Sequence, residues 1–153
     1  MKKLYILIAL AAGYLAFSNG DMGMSGFGGG LGRVPDQIMV NREPLQESLT
    51  PSVTIQRNEF QITKHHRFEV EGVVLGAEHY SFDEESRISP VDLALGWGPM
   101  SSGAVINKIR FSQSNRFYHY RYQNPPPIAK SSIVSNSANM HMIPANDQIA
   151  DRL

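Results

Sequence analysis

A glycine-rich stretch near the N-terminus limits which part of this chain can form a compact domain. Residues 20–32 contain seven glycines in thirteen positions, and glycine loses more backbone freedom on ordering than any other residue. Together with the proline-interrupted sequence that follows, this composition predicts a flexible Gly/Pro-rich linker over residues 19–58, with room for a short helical turn around Glu43–Leu49. A single folded domain is therefore expected at residues 59–153.

The first eighteen residues have the pattern of an export signal. Lys2 and Lys3 precede fourteen uncharged, mostly apolar residues, Leu4–Phe17. As a helix this run would span roughly 21 Å, which is less than the hydrocarbon core of a bilayer, about 30 Å thick. It therefore predicts a signal peptide or signal anchor at residues 1–18 and a protein that is periplasmic or anchored in the inner membrane. Cleavage stays open, and the alternative is a buried N-terminal element of a cytosolic domain.

Composition excludes several classes of function. The chain of 153 residues has no cysteine, which excludes a disulfide scaffold, a zinc–thiolate site and a thiol nucleophile. Fourteen Lys and Arg residues balance fourteen Asp and Glu residues, so the net charge provides no attraction to nucleic acid. The sequence contains no P-loop, no Gly-x-Ser-x-Gly elbow and no His-Glu-x-x-His motif. It favours a protein that is not an enzyme.

Alternation of apolar and polar residues predicts strands. Phe68–Glu71 alternates strictly and continues into an apolar run, and a period of two residues is a strand signal. Segments 109–113 and 116–122 also alternate and are expected to form two strands joined at Ser114–Asn115. The second of these strands divides its side chains between two faces, with three tyrosines on one and, on the other, Phe117, His119 and Arg121.

Helices are expected to be few and short. Ser89, Pro90 and Asp92 suit a helix start, because serine caps the first turn, proline is tolerated at its first position and an acid favours its positive end. Other short helices are expected after Ser101 or Ser102, within residues 128–134 and from Asn146. Together these elements predict an α+β fold, a small twisted sheet or partly open β-barrel with short helices. The last helix opens just before the chain stops, so a C-terminally truncated domain is a further expectation.

Three segments resemble the motifs of one protein family. Ser89–Ser101 reads SPVDLALGWGPMS, Gln113–Tyr118 reads QSNRFY and Ser137–Ala145 reads SANMHMIPA. In these segments the chain resembles a family of small uncharacterised bacterial proteins, over roughly residues 68–150. The resemblance implies an N-terminal hydrophobic segment and further strands after the position at which this chain ends. It implies no activity and no functional residue.

Charge is divided unevenly within the predicted domain. Residues 68–92 carry seven acids and one base, whereas residues 93–146 carry five bases and no acid. Either the two halves face each other in the fold, or the basic half presents a basic, aromatic face to a polyanion or envelope glycan. On the second reading the binding residues are Trp97, Arg116, Tyr118, Tyr120 and Arg121. Trp97, which stands between two glycines, is either a buried anchor or an exposed contact.

A metal site is the other candidate. Met140 and Met142 flank His141, and soft sulfur ligands suit Cu(I), although methionines that alternate along a strand more often fill a core. No cofactor is expected on the first reading, and copper or zinc is the alternative. The residues considered as metal ligands are His79, Asp83, His119, Met140, His141 and Met142.

These features predict an exported or membrane-tethered protein of the cell envelope that acts by binding or as a structural component. Its expected partners are the membrane, through residues 1–18 if they are not cleaved, and an envelope glycan or protein. Nucleic acid is not an expected partner of an exported protein. The alternative is a small envelope enzyme or a metal-binding protein that uses His79, Asp83, His119 or His141.

Overall fold

The computed structural model describes residues 34–57 and 59–150. The predicted export signal at residues 1–18 and the glycine-rich stretch at residues 20–32 lie outside the described residues. None of the helices within residues 34–57 and 59–150 has the length and hydrophobicity that a membrane span requires. The described part of the chain contains seven strands, which form three small antiparallel sheets, together with a few short helices.

The first sheet is a long hairpin of β1 (Leu45–Arg57) and β2 (Phe60–Glu69). Its register shifts once, beside Pro51, because proline has no N–H to contribute to a ladder. The prediction of a flexible linker up to residue 58, with a helical turn at Glu43–Leu49, is therefore wrong for this segment. The polar β1 sequence becomes a strand because β2 supplies a pairing partner along most of its length.

The segment that precedes β1 is also part of the domain. The backbone N–H of Val40 donates to Ser101 Oγ at 3.0 Å, and the Ser101 hydroxyl lies 3.1 Å from the Val40 carbonyl oxygen. Gly103 N–H donates to the Pro35 carbonyl at 2.7 Å. A Cβ on Gly103 would lie 1.9 Å from the Val34 carbonyl oxygen, so this close backbone approach requires glycine. The ordered domain thus includes residues from Val34 onward, well before the predicted boundary at residue 59.

The second sheet has the order β3–β4–β7, formed by Val73–His79, Val91–Gly96 and Ser137–Met142. The helix predicted to start at Ser89 is wrong, because residues from Val91 onward form the central strand β4. A proline restricts the residue before it to extended conformations, so Ser89 and Pro90 lead into a strand as readily as into a helix. A strand buried on both faces reads as a continuous apolar run without alternation, and most of β4 is buried.

The third sheet is the predicted hairpin. Strands β5 (Ile109–Ser114) and β6 (Phe117–Tyr122) pair in antiparallel register, which confirms the two strands. Asn115 and Arg116 form the two-residue turn, and both have positive φ, 49° and 66°. Positive φ at both central residues is typical of the type I′ turn, whose twist matches that of the flanking strands.

The helices are short, as predicted. The segment from Asn146 begins a helix in which Asn146 Oδ1 accepts a hydrogen bond from the Ile149 N–H at 2.9 Å, which confirms the expected cap. Two single 3₁₀ turns lie between strands, at Glu85–Arg87 and Gly98–Ser101. In the described part of the chain there are three short α-helices, α1 (Gly103–Ile106), α2 (Lys130–Ser135) and α3 (Asp147–Ala150).

The main core lies between the three-stranded sheet and the β5–β6 hairpin. Met100 and Ile133 are fully buried at its centre, and the inward tyrosines of β6 pack against the same cluster. A second, smaller cluster joins the β1–β2 hairpin to the body through Ile62 and Ile88. The described residues form a small β-rich domain with short helices and open sheets, which confirms the predicted class in its coarse form.

Candidate functional site

A fully buried carboxylate lies on the central strand. Asp92, the second residue of β4, is 0% exposed, and a buried ionised group is costly unless it is paired and hydrogen-bonded. Two groups reach its Oδ1, His141 Nδ1 at 2.8 Å and Arg116 Nη1 at 3.3 Å, and Asn139 Nδ2 donates to its Oδ2 at 3.2 Å. His141 and Asn139 lie on the neighbouring strand β7, on the same face as Asp92. The charge of Asp92 is therefore compensated from two directions.

Arg116 provides the central cation of this group. Its Nε and Nη2 atoms donate to the two carboxylate oxygens of Asp83 at 3.0 and 2.7 Å, a bidentate geometry that a guanidinium matches. Its Nη1 also donates to the Ser89 carbonyl oxygen at 2.7 Å. The guanidinium carbon lies 3.9 Å from the centre of the Tyr80 ring, within the range of a cation–π contact. The Arg116 side chain is only 13% exposed.

The turn that carries Arg116 is held to the sheet by its backbone as well. The Arg116 N–H donates to the Tyr80 hydroxyl at 3.2 Å, and the Arg116 carbonyl accepts from Asn139 Nδ2 at 3.1 Å. A non-glycine residue at positive φ is strained and persists where its surroundings fix it. Arg116, the residues that contact it and the histidine that shares Asp92 form one group of side chains. We refer to this group as the Arg116 cluster, which comprises Tyr80, Asp83, Asp92, Arg116, Asn139 and His141.

The pKa shifts of Asp83 and Arg116 both favour the charged forms of these two side chains. The hydrogen bond from Arg116 lowers the pKa of the Asp83 carboxyl, which the backbone N–H of Ser86 lowers further. Burial alone would lower the pKa of Arg116, but the hydrogen bond to Asp83 and the charges of Asp83 and Asp92 outweigh it and raise that pKa. Asp83 and Asp92 come from the acidic half of the domain and Arg116 from the basic half. At this point the two halves face each other, which was one of the two readings of the charge pattern.

The pair of His141 and Asp92 resembles one part of a catalytic triad, in which a buried carboxylate orients an imidazole. The His141 ring is about half exposed, so it has access to solvent. The hydrogen bonds of the described residues place no hydroxyl nucleophile against this ring, whereas the Ser114 hydroxyl lies 3.4 Å from a different histidine, His119. The arrangement orients the imidazole ring and joins the hairpin, β4 and β7.

The residues predicted to form a binding face do not come together on one surface. Trp97 is buried and its Nε1 donates to Glu43 Oε2 at 3.1 Å, so it is an anchor of the core. Tyr118 and Tyr120 point inward; burial raises the pKa of Tyr118, whose hydroxyl lies 2.6 Å from a serine hydroxyl of β7. Arg116 lies in its cluster, and Arg121 is the single member of the predicted set that is exposed. Along β6 the separation follows from the strand itself, which turns successive side chains to opposite faces.

The exposed face of the β5–β6 hairpin has a different set of side chains. Arg110 and Arg121 are direct cross-strand neighbours, Ser112 pairs with His119, and Phe117 lies at the end of the ladder, 67% exposed. Like charges placed opposite each other destabilise a sheet, and within residues 34–57 and 59–150 neither arginine has an acidic partner. We call this surface the outer hairpin face, defined by Arg110, Ser112, Phe117, His119 and Arg121. Period-two alternation had already placed Phe117, His119 and Arg121 on one face in the sequence, and the same period along β5 adds Arg110 and Ser112.

Of the six candidate metal ligands only Asp83 and His141 belong to one cluster, the Arg116 cluster, and the other four lie outside it. His141 faces the Arg116 cluster, whereas Met140 and Met142 alternate with it on β7 and therefore lie on the opposite face of the sheet. His119 is on the outer hairpin face and His79 pairs with Val91 at the end of β3. Among the described residues, no group of three His, Cys, Asp or Glu side chains could hold a metal ion. The copper site predicted from Met140, His141 and Met142 is therefore not supported by the geometry.

Taken together, the fold and these surfaces define a class of protein, a small β-rich domain with a partly buried ion-pair cluster and an exposed cationic hairpin. Comparison with protein-family models, with curated proteins and with solved structures found no match to this chain. The function is therefore inferred from the placement of the side chains described above.

Proposed function

We propose that the protein is an exported or membrane-tethered component of the cell envelope that binds an anionic glycan through its outer hairpin face. The observation that carries this proposal is the cross-strand pair of Arg110 and Arg121. Two exposed guanidinium groups held side by side repel each other, and an anion bound between them would remove that cost. Residues 1–18 lead us to expect export, and export would bring the domain into contact with envelope polymers.

The chemistry of the outer hairpin face suits an acidic sugar polymer. A guanidinium can form two parallel hydrogen bonds with a carboxylate or a phosphate oxygen pair. Phe117 offers an exposed aromatic ring on the same face, which can cover the apolar side of a sugar ring. His119 lies between Phe117 and Arg121 along β6 and adds a hydrogen-bonding group. A glycan that carries carboxylates at intervals would use all three kinds of side chain.

The finer architecture that we propose is a partly open barrel. Each strand of the β5–β6 hairpin lies next to an outer strand of the three-stranded sheet, β5 next to β3 and β6 next to β7. These neighbouring strands are not joined by ladders in the described residues. Such a cylinder would keep the tyrosines of β6 inside and would leave the outer hairpin face free for a partner.

The proposal is tested by sedimentation of the purified full-length protein with peptidoglycan sacculi, whose peptide stems carry carboxylates. Arg110→Gln/Arg121→Gln should weaken binding by about five- to tenfold, because exposed charge pairs contribute about 0.2–1 kcal/mol each. Arg42→Gln/Lys130→Gln removes the same charge from exposed positions outside the hairpin and serves as the matched control. Binding by this control should stay within about twofold of the wild type and should fall as NaCl is raised. Equal weakening in both double variants would contradict binding at the outer hairpin face. Absence of binding by the wild type would contradict a glycan as the ligand.

A further inference from the structure

A cleft separates the β1–β2 hairpin from the chain that follows β7. Its volume is about 210 Å³. It lies away from the outer hairpin face and has no residue in common with it. The residues that line it are Ile55, Gln56, Arg57, Ile62, Lys64, Ile143, Pro144 and Ala145.

The floor of this cleft is aliphatic. Ile55 and Ile62 are direct cross-strand partners in the hairpin, and Ile62 is only 3% exposed. Ile143 packs against the same cluster from the segment after β7. A surface of branched aliphatic side chains of this kind favours an apolar ligand, because its contact with water is unfavourable.

Two cations stand at opposite ends of the floor. Arg57 follows Ile55 by two residues and Lys64 follows Ile62 by two residues, so both extend from the same face of the hairpin as the isoleucines. Arg57 Nη1 donates to the Ala145 carbonyl oxygen at 2.9 Å, which fixes the guanidinium at the cleft wall. This bond uses one of the five N–H donors of the guanidinium, so the others can bind a ligand. Among the described residues, no acid lines the cleft and neither cation forms an ion pair.

We propose that this cleft binds a linear aliphatic carboxylate of about six to eight carbons. Its chain would lie on the isoleucines, and its carboxylate would pair with the cations at the rim. The length follows from the volume, because a cavity of about 150 Å³ holds a benzene molecule and this cleft is somewhat larger. A ligand of so few atoms binds weakly, with a Kd on the order of 1 mM. This site is independent of the glycan-binding proposal, because the two surfaces use different residues.

The test is a titration of the full-length protein, labelled at isoleucine δ1 methyl groups, with octanoate. The methyl signals of Ile55, Ile62 and Ile143 should shift in a saturable way, whereas that of Ile133, which is fully buried in the main core, should not. Octan-1-ol has the chain without the charge, and acetate has the charge without the chain. Each of these probes should bind at least threefold more weakly than octanoate.

Variants at the rim separate the charge contribution from simple hydrophobic adsorption. Arg57→Gln or Lys64→Gln should weaken octanoate binding by threefold or more, and Lys130→Gln, at an exposed position on α2, should leave it unchanged. Wild-type methyl dispersion in the variants would show that the fold is retained. The proposal is overturned if octanoate does not shift the three methyl signals, if octan-1-ol binds as tightly, or if both rim variants retain full affinity.

Discussion

The imidazole Nδ1 of His141 lies 2.8 Å from a carboxylate oxygen of Asp92 that also receives Arg116 Nη1 at 3.3 Å. One buried atom thus joins three elements, because His141 belongs to β7, Asp92 to β4 and Arg116 to the tip of the β5–β6 hairpin. Apolar packing can position two layers without fixing their rotation relative to each other. A shared, fully buried carboxylate fixes it, because each donor must be in place for the charge to be compensated.

Replacing this carboxylate should therefore be strongly destabilising. In Asp92→Ala the Arg116 guanidinium, 13% exposed, loses one of its acidic partners inside the domain. Breaking a buried pair from one side costs several kcal/mol, and we expect the free energy of unfolding to fall by about 3 kcal/mol. Urea denaturation measures it, and Glu71→Ala, at an exposed carboxylate, should change it by less than about 0.5 kcal/mol. Similar values for the two variants would show that the cluster does not stabilise the domain.

Arg116 should not tolerate lysine. Lysine keeps the charge but cannot form the two parallel hydrogen bonds to Asp83 together with the bond to the Ser89 carbonyl. We expect Arg116→Lys to lower the free energy of unfolding by about 2 kcal/mol. Arg121→Lys makes the same chemical change on the outer hairpin face and should cost less than about 0.5 kcal/mol. Thermal and urea denaturation of the two variants test this difference, and equal costs would contradict it.

The sequence predicted the hairpin at residues 109–122 but not the cluster that holds it. Alternation is a local signal, and both strands of this hairpin follow it over six residues. Asp92, by contrast, is 24 residues from Arg116 and 49 from His141, and no local pattern indicates that such residues meet. The helix predicted from Ser89 is wrong because a serine followed by proline can lead into a strand as well as into a helix. β1 was missed because its partner strand, and not its own polar sequence, makes it a strand.

Acid should weaken the domain partly through Asp83. The carboxyl of an unfolded aspartate has a pKa of about 4, and Arg116 lowers the pKa of Asp83 below this in the folded state. Folded protein then binds fewer protons than unfolded protein in this range, so the stabilising contribution is complete above about pH 4 and is lost as the pH falls through the folded value. The urea midpoint of the wild type should therefore fall more steeply from pH 5 to pH 2.5 than that of Asp83→Asn. Parallel curves would contradict the pKa assignment.

Trp97 should report on folding and not on glycan binding. It is the single tryptophan of the chain and is buried, so the native fluorescence should be blue-shifted and should move to the red on unfolding. Trp97→Phe removes the hydrogen bond from Nε1 to Glu43 and should cost about 1 kcal/mol. It should leave sedimentation with sacculi within about twofold of the wild type. A selective loss of binding in this folded variant would return Trp97 to the binding site.

Gly76 on β3 leaves room for the Gln113 side chain of the hairpin. A Cβ at this position would lie 2.7 Å from Gln113 Oε1, and Gln113 Nε2 donates to Asn139 Oδ1 at 2.9 Å and to the Asp92 carbonyl at 3.3 Å. Gly76→Ala should therefore displace this amide and cost about 1–2 kcal/mol through lost hydrogen bonds.

A double-mutant cycle distinguishes displacement of the Gln113 amide from an intrinsic effect of alanine in the strand. In Gln113→Ala the obstructing amide is already absent, so adding Gly76→Ala should cost about 1 kcal/mol less than it does in the wild type, or should stabilise the strand. Urea denaturation of the four proteins gives the coupling energy. Additive effects would mean that Gln113 does not hold the hairpin against the sheet, and that the contact between Phe111 and the inward tyrosines of β6 suffices.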